Sequence, residues 1–310
     1  MNPIVTIIIP AYNAARFLPE ALASLCAQSE QGWQAVVVDD GSTDGTTDLA
    51  SSHGDPRIKV ITQGNRGVSA ARNRGLVEVN TPYVMFLDAD DCLLPDAVAR
   101  LTGALAAYPT LAAAYGEGLV IDEDGQVIGG GAASWNHRPS GDVLEPLLKR
   151  NFILCGALCA RAEKLQLAGS FREELRLYED WELWCRLAMT GPFHYLGGSP
   201  VLAYRRTDGG AVGSYGHEVT LARASLDVVF AHPTLATRFD AAARARLRRQ
   251  SEASVHSFTA SQHLKRHDWT AARAALLQSL RRHPAQRREW ILLACAVLGW
   301  LPGPVSRRIK

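Results

Sequence analysis

Three carboxylates, Asp88, Asp90 and Asp91, follow directly on the apolar run Tyr83 to Leu87. The run reads as a β-strand, so the acids stand at its C-terminal end. An Asp-x-Asp pair there supplies the hard oxygen donors that Mg²⁺ or Mn²⁺ prefers, and the oxygens of a bound diphosphate can complete an octahedral shell. The same acids also suit a turn ahead of a helix expected to start near Pro95. A second strand-like run, Gln34 to Val38, ends in Asp39-Asp40-Gly41-Ser42. If the two strands lie in one parallel sheet, their acidic ends open onto one crevice, where ligands bind in open α/β sheets. A third run, Val5 to Ile9, feeds Pro10-Ala11-Tyr12-Asn13. Pro10 is expected to end the sheet ladder because it has no N–H. Tyr12 offers a ring for packing on a base or ribose, and Asn13 is placed to cap the helix that Pro19 helps begin.

The elements that must position these residues follow from periodicity. Strands are expected at Val5–Ile9, Gln34–Val38, Ile58–Thr62 and Tyr83–Leu87, alternating with helices at Pro19–Gln28, Thr46–Ser51, Val68–Glu78 and Asp96–Tyr108. Such βαβ alternation implies a mostly parallel sheet. Farther on, Leu111 to Ile121 and Gln126 to Ile128 flank Asp122-Glu123-Asp124-Gly125, a hairpin turn by composition. Gly129-Gly130-Gly131 then loosens the chain before Trp135, a segment expected near the acceptor side. From about Tyr215 the sequence turns helical and rich in Ala and Arg. Asp268 to Leu277, with His283-Pro284 beyond it, resembles one helix of a tetratricopeptide repeat, but one or two such helices make no solenoid.

The chain has 310 residues, room for about two domains, and its 47% hydrophobic content is that of a globular protein. The formal charge of +2 hides an asymmetry. Residues 1–237 hold 18 basic and 27 acidic side chains, a net of −9, whereas residues 238–310 hold 15 basic and 4 acidic, a net of +11. The acidic portion argues against a nucleic-acid ligand, and the basic portion suits anionic lipid headgroups. Trp290 to Leu301 is too short an apolar run to span a bilayer, which takes about 20 residues. With Trp290 and Trp300 at its ends and Arg281, Arg282, Arg287, Arg288, Arg307, Arg308 and Lys310 around it, it reads either as a helix lying in the membrane interface or as one docked on the protein's own core. The six cysteines, Cys26, Cys92, Cys155, Cys159, Cys185 and Cys295, form no paired framework and read as buried thiols of a reducing compartment. The first strand begins almost at once, without a signal-peptide pattern, so a cytoplasmic protein is expected, with peripheral contact to the membrane through its tail as an option.

Five motifs in order give the chain a resemblance. They are Ile7-Ile8-Ile9-Pro10-Ala11-Tyr12-Asn13, Val38-Asp39-Asp40-Gly41-Ser42-Thr43-Asp44, Gly67-Val68-Ser69-Ala70-Ala71-Arg72-Asn73, Phe86-Leu87-Asp88-Ala89-Asp90-Asp91, and Tyr178-Glu179-Asp180-Trp181-Glu182-Leu183. Over about its first two-thirds the chain resembles the inverting family 2 glycosyltransferases of the GT-A fold. That resemblance implies an α/β fold: a GT-A (Rossmann-like), mostly parallel sheet flanked by helices, spanning residues 1–214; the Ala- and Arg-rich composition beyond it adds a helical C-terminal extension over 215–310. It implies transfer of a sugar from a nucleotide-diphosphate sugar to an acceptor hydroxyl with a divalent metal, Mn²⁺ or Mg²⁺, in the setting of cell-surface polysaccharide or lipopolysaccharide assembly. By the same resemblance the donor is met by Pro10, Ala11, Tyr12, Asn13, Asp39, Asp40, Arg72, Asp88 and Ala89, the metal by Asp88 and Asp90, and the acceptor by the general base Asp180.

The residues allow that chemistry and leave several choices open. Asp90 is the leading metal ligand, with Asp88 on the ion or on the ribose hydroxyls and Asp91 a competitor, since neighbours on an extended chain face opposite ways. Asp40, before Asp39, can accept a hydrogen bond from uracil, thymine or guanine, so the base is not named. Arg72 meets the nucleotide or pairs with Glu78 or Asp91. Asp180 serves as base or, like Glu179, as a helix N-cap. Tyr204 to Ser214 reads as a mobile lid whose Arg205 or Arg206 could reach the diphosphate. Where the family often carries a His, this chain has Asp208, with His217 later, and both are left out of the metal shell. A polyprenyl-phosphate glycosyltransferase and a non-catalytic scaffold are the alternatives.

Overall fold

The computed structural model describes residues 2–129, 138–207 and 218–301. Trp135, the lid positions from Asp208 to Ser214, His217 and the basic Arg307, Arg308 and Lys310 lie outside the described residues. The chain divides into two compact units. One comprises Met1–Val143, Phe152–Glu174 and Arg186–Arg206, the other Leu144–Asn151, Leu175–Cys185 and Thr207–Lys310.

The first unit opens with β1 (Val5–Ala11), α1 (Leu18–Cys26), β2 (Trp33–Asp39), α2 (Thr46–Ser52), β3 (Ile58–Thr62), α3 (Val68–Leu76), β4 (Tyr83–Phe86), β5 (Cys92–Leu93) and α4 (Ala97–Ala107). It continues through β6 (Ala113–Tyr115), β7 (Gly118–Ile121), β8 (Val127–Gly129), β9 (Leu158–Arg161), α6 (Ala162–Ala168), β10 (Phe193–Tyr195) and β11 (Leu202–Arg205), with α5 (Leu144–Lys149) and α7 (Glu179–Ala188) interposed in sequence. The main sheet has the order β10-β6-β9-β4-β1-β2-β3, and a smaller sheet the order β5-β11-β7-β8. In the main sheet β1 pairs in parallel with β2 and β4, and β2 with β3. Strand β9 runs antiparallel to both β4 and β6, and β6 is parallel to β10. It follows that β6 and β10 point the same way as β4, so six of the seven strand ends open on one edge.

The apolar runs are continuous because helices cover both faces of the sheet. Ile7, Ile9, Ala35, Val37 and Met85 alternate onto one face with Leu18, Ala21, Leu22 and Leu25 of α1 and Val98 and Leu101 of α4. Val36 and Val38 face the other way, with Ala71 of α3. Strand β1 does not stop before Pro10, as expected, but runs on to Ala11. Leu87 N donates to Ile8 O, and Asp40 N to Ala11 O. By the alternation of a parallel ladder, the missing Pro10 donor falls on the β4 side, where pairing has already ended at Ile8 and Phe86, so the proline costs no bond there.

The hairpin expected at Asp122–Gly125 joins β7 to β8, closed by Asp122 N donating to Gln126 O at 2.9 Å. In the second unit, α8 (Val219–Ala231), α9 (Pro233–Arg238), α10 (Ala241–Lys265), α11 (Trp269–Arg282) and α12 (Arg287–Leu298) follow the expected helical composition. Asp240 and Asp268 cap α10 and α11 by accepting from Ala243 N and Ala271 N. Small residues let these helices pack closely around Ala260, Leu264, Ala272, Leu276, Leu292 and Ala296.

Helix α3 lies against β1 because Gly75 has no side chain: a Cβ there would enter the van der Waals shell of buried Ile8. Gly75→Ala is expected to destabilise the protein by about 1–3 kcal/mol through overpacking, read by denaturant unfolding. Unchanged or raised stability, the direction set by helix propensity alone, would exclude this close approach.

Candidate active site

The first acidic end belongs to β2. Asp39 is buried, and its carboxylate accepts from Ser42 N at 3.1 Å and from the hydroxyls of Ser42 and Thr47. Asp40, also buried, accepts from Gln63 Nε2 at 2.7 Å, from Arg66 N at 2.9 Å and from Gly67 N at 2.7 Å. An ionised carboxylate has about four acceptor directions, so these three bonds leave Asp40 one more. Gly41 holds φ 80°, and a Cβ there would lie 2.9 Å from Asn65 N, so the turn after Asp40 admits only glycine without rearrangement.

The loop after β1 is stitched to the loop after β2. Asn13 has φ 47°. Its N donates to Ser42 Oγ at 2.9 Å, and its Oδ1 accepts from Thr43 N at 2.9 Å. Ala14 N and Ala15 N donate to Thr46 Oγ1 and Asp44 Oδ2. Asn13 is therefore not the expected helix cap, because the N-cap position of α1 is Phe17. Pro10 and Ala11 are buried in β1, while the Tyr12 side chain is exposed and available for stacking.

The second acidic end follows β4. Asp88 Oδ1 accepts from the Arg72 guanidinium at 2.7 Å. Arg72 is buried on α3 and lies 5.2 Å over the Phe171 ring. Its partner is thus Asp88, not Glu78 or Asp91; Glu78 pairs with Lys59 and Arg74. The next residue, Asn73, clamps Phe171 in both directions, accepting from Phe171 N and donating to Phe171 O, each at 2.9 Å. Helix α3 therefore connects the two acidic ends: Asp40 takes the amides at its start, and Arg72 reaches Asp88.

Ala89 is buried and Asp90 half-buried. Loss of water, then the charge of Asp88, pushes the Asp90 carboxyl up to about 6. Asp91 is buried outright, and burial, then Asp88 and Asp90, push its carboxyl well above the usual range. Its carboxylate accepts from Arg205 N at 2.8 Å, so Asp91 fastens β11 to the acidic turn and drops out as a ligand candidate. Asp88 and Asp90 remain. Two carboxylates that repel one another in a poorly hydrated turn suit a divalent cation. Among the described residues no group of three or more His, Cys, Asp and Glu side chains forms a metal cage. A two-carboxylate set fits an ion that takes its other ligands from substrate phosphates and water, the usual manner of Mg²⁺ at phosphate sites.

Arg205 is not the mobile cation expected of a lid. It is fully buried, donating to Asp90 O at 2.8 Å and to Asp122 O and Glu123 O at 3.1 Å, pairing with Glu20, and lying 4.8 Å from the Phe17 ring. Its fork ties α1, the acidic turn, the β7–β8 turn and β11 together. In sequence it is indistinguishable from Arg206, which is half-buried.

A further polar cluster, not anticipated from sequence, stands on the same sheet edge after β6 and β10. Glu117 is held by both arms of Arg138, at 2.6 and 3.1 Å, and by the Tyr195 hydroxyl at 2.7 Å. Burial, then Glu117, pushes Tyr195 up to about 12. The cluster joins residues up to 78 positions apart and has no motif that could have announced it.

Asp180 lies in the second unit, in the first turn of α7. Its Oδ1 accepts from Trp181 N at 2.6 Å, and Asn151 Nδ2 approaches both oxygens at 3.3 and 3.4 Å. Tyr178 before it holds φ 62°, a conformation unfavourable to a bulky side chain. Edge contacts with Trp181 and Phe258 hold its ring.

Solved structures share this fold. TarS 1-349 of S. aureus in complex with UDP-GlcNAc superposes with a TM-score of 0.67 at 18% identity, covering 99% of this chain and 90% of that one. The mannosyltransferase PcManGT from Pyrobaculum calidifontis, in complex with GDP-Man and Mn²⁺, gives 0.62 at 20% identity, covering 99% and 84%. With its central sheet, flanking helices and helical C-terminal region, the protein has the GT-A fold. Residues 6–157 match the family model described as Glycosyl transferase family 2. Chondroitin synthase of Escherichia coli is 28% identical over 201 residues, 63% of this chain and 28% of that protein. Hyaluronan synthase of Pasteurella multocida is 27% identical over 196 residues, 63% and 20%. The chain spans between 20% and 28% of the length of these relatives. Over residues 6–157 the chain is thus similar to glycosyl transferase family 2.

Arg205→Met removes the donors to three carbonyls. It is expected to cost about 2–4 kcal/mol in denaturant unfolding, with Arg205→Lys restoring only part because an ammonium cannot match the fork; full restoration by Lys would reduce Arg205 to a point charge. A second expectation concerns pH. Since the folded protein raises the Asp90 pKa, this group stabilises the metal-free protein least above about pH 6 and destabilises it progressively as pH rises from about 4 to that value. Mn²⁺ is therefore expected to raise the melting temperature more at about pH 8 than at about pH 5; equal gains would contradict a cation held by Asp90.

Proposed function

We propose that the chain is an inverting glycosyltransferase that moves a sugar from a nucleotide-diphosphate donor to an acceptor hydroxyl with the help of a divalent metal. The observation that carries this reading is the pair of acidic strand ends on one edge of a parallel sheet, bridged by α3. We assign donor binding and catalysis to residues 1–214 and treat 215–310 as a helical extension.

In this reading Tyr12 stacks on the base or ribose beside Pro10, Ala11 and Asn13, and the remaining acceptor direction of Asp40 takes a base N–H, with Asp39 holding the turn beneath it. Arg72 keeps Asp88 oriented, and Asp88 with Asp90, on either side of Ala89, would hold Mn²⁺ or Mg²⁺. When bound, the cation neutralises charge building on the departing diphosphate. Asp180 takes the proton of the acceptor hydroxyl as the oxygen attacks the anomeric carbon. The bond to the diphosphate breaks in the same displacement, and the anomeric configuration inverts. Asn151 orients the Asp180 carboxylate. The acceptor class we favour is a growing cell-surface polysaccharide, in keeping with the polysaccharide synthases among the relatives. Of the six cysteines, Cys155, Cys159, Cys185 and Cys295 are buried as expected, whereas Cys92 is half-buried and Cys26 exposed.

Calorimetric titration of UDP, TDP and GDP, each with and without Mn²⁺, is expected to give metal-dependent binding of one diphosphate that is lost in Asp90→Ala. Binding of none would remove the reading. Asp180→Asn is expected to keep donor affinity and to slow transfer by a factor on the order of 10²–10⁴, measured in single-turnover assays with soluble acceptors and with membrane extracts. An unchanged rate would exclude Asp180 as the base.

A further inference from the structure

Helix α12 has two apolar sides. Leu292, Cys295 and Ala296 are buried, Leu292 and Ala296 in the cluster shared with α10 and α11, which accounts for one side. On the other, Trp290, Ile291, Val297 and Leu298 are between 52% and 74% exposed, and Trp300 just beyond the helix is 62% exposed. The spacing 290, 291, 294, 297, 298 is one stripe of a 3.6-residue helix, and Ala294, also exposed, fills its middle. A helix of a soluble protein ordinarily places polar side chains there. The Trp290 indole N–H is satisfied by Pro284 O at 2.9 Å, so the ring offers its apolar body outward with no donor left to hydrate.

The charges that flank the stripe in sequence are nearly all of one sign. Between residues 281 and 310 there are seven basic side chains and a single acid, Glu289. Glu289 is buried, accepts from Ser257 Oγ at 2.7 Å and pairs with Arg288 at 3.2 Å. Arg281, Arg287 and Arg288 are exposed, and Arg287 lies on the stripe's own face, one turn before Trp290. A second copy of the chain would bring these arginines against their own kind, whereas an anionic surface complements them.

We infer that the exposed face of α12 is a membrane-docking surface that binds anionic lipid bilayers. Among the described residues no helix is long and apolar enough to cross a membrane. The helix would lie in the plane of the interface, its apolar stripe below the headgroups, Trp290 and Trp300 at the boundary and the arginines against lipid phosphates. This inference uses no part of the donor site and stands or falls independently of sugar transfer.

The test is flotation of the full chain with vesicles of phosphatidylcholine alone or with about a third phosphatidylglycerol. The protein is expected to float with the anionic vesicles, to remain below with neutral ones, and to be released by about 0.5 M salt. The double variant Ile291→Glu/Leu298→Glu, changed only at exposed positions and checked for native unfolding, is expected to lose at least about tenfold in partitioning. Arg281→Glu/Arg287→Glu, changed at exposed cations, should lose binding to anionic vesicles in the same way. Absence of flotation with anionic vesicles, or flotation unaffected by the apolar variant, would overturn the inference. So would a concentration-dependent dimer in sedimentation that the apolar variant abolishes, since the stripe would then belong to a second copy.

Discussion

The structure depends on holding like charges together. Four carboxylates, Asp39, Asp40, Asp88 and Asp90, end two parallel strands on either side of β1, and Asp91 follows them into the interior. Left alone, such a set would repel and open the sheet edge. Each acid instead has its own counterpart. Hydroxyls and an amide take Asp39, the amides before α3 take Asp40, Arg72 takes Asp88, and the backbone of β11 takes Asp91. Asp90, half-buried and raised by loss of water and then by the charge of Asp88, is left at the open edge, and that suits a cation.

Two arginines divide this work. Arg72 faces the acidic edge and carries a charge into it, stacked over Phe171, which Asn73 grips through its backbone. Arg205 sits behind the acidic turn and acts mainly on carbonyl oxygens, so it sets the path of the chain. The buried Arg205 is tolerable because its Nε, Nη1 and Nη2 each meet an acceptor, from the acidic turn, the β7–β8 turn and α1. The close contact of α3 with β1 at Gly75 completes the frame, since a wider gap would draw Arg72 away from Asp88.

Much of this was legible in the chain. Strands buried on both faces are written as unbroken apolar runs, so β1 to β4 and their order with α1 to α4 can be read directly, to within a residue or two at their ends. The acids announce themselves because they interrupt those runs. Strands β9 and β10 were not legible, since each is short and gains its pairing only from segments far away in sequence. Pro10 was misjudged for a related reason: a proline ends a ladder only on the side that its nitrogen faces, and that side is known only once the neighbour's length is known.

The sequence by itself determined the local patterns: strand and helix periods, acids at strand ends, the Asp240 and Asp268 caps, and the basic, tryptophan-flanked apolar run near the C-terminus. Those features depend on neighbours within a turn or a strand. Only the tertiary structure decided which charge meets which. It gave Arg72 to Asp88, withdrew Arg205 from the lid into the core, spent Asp91 on β11, and turned one face of α12 inward while leaving the other exposed. Ion pairing and burial are properties of surfaces brought together from distant parts of the chain, up to 185 positions apart for Arg205 and Glu20, and no local pattern encodes them.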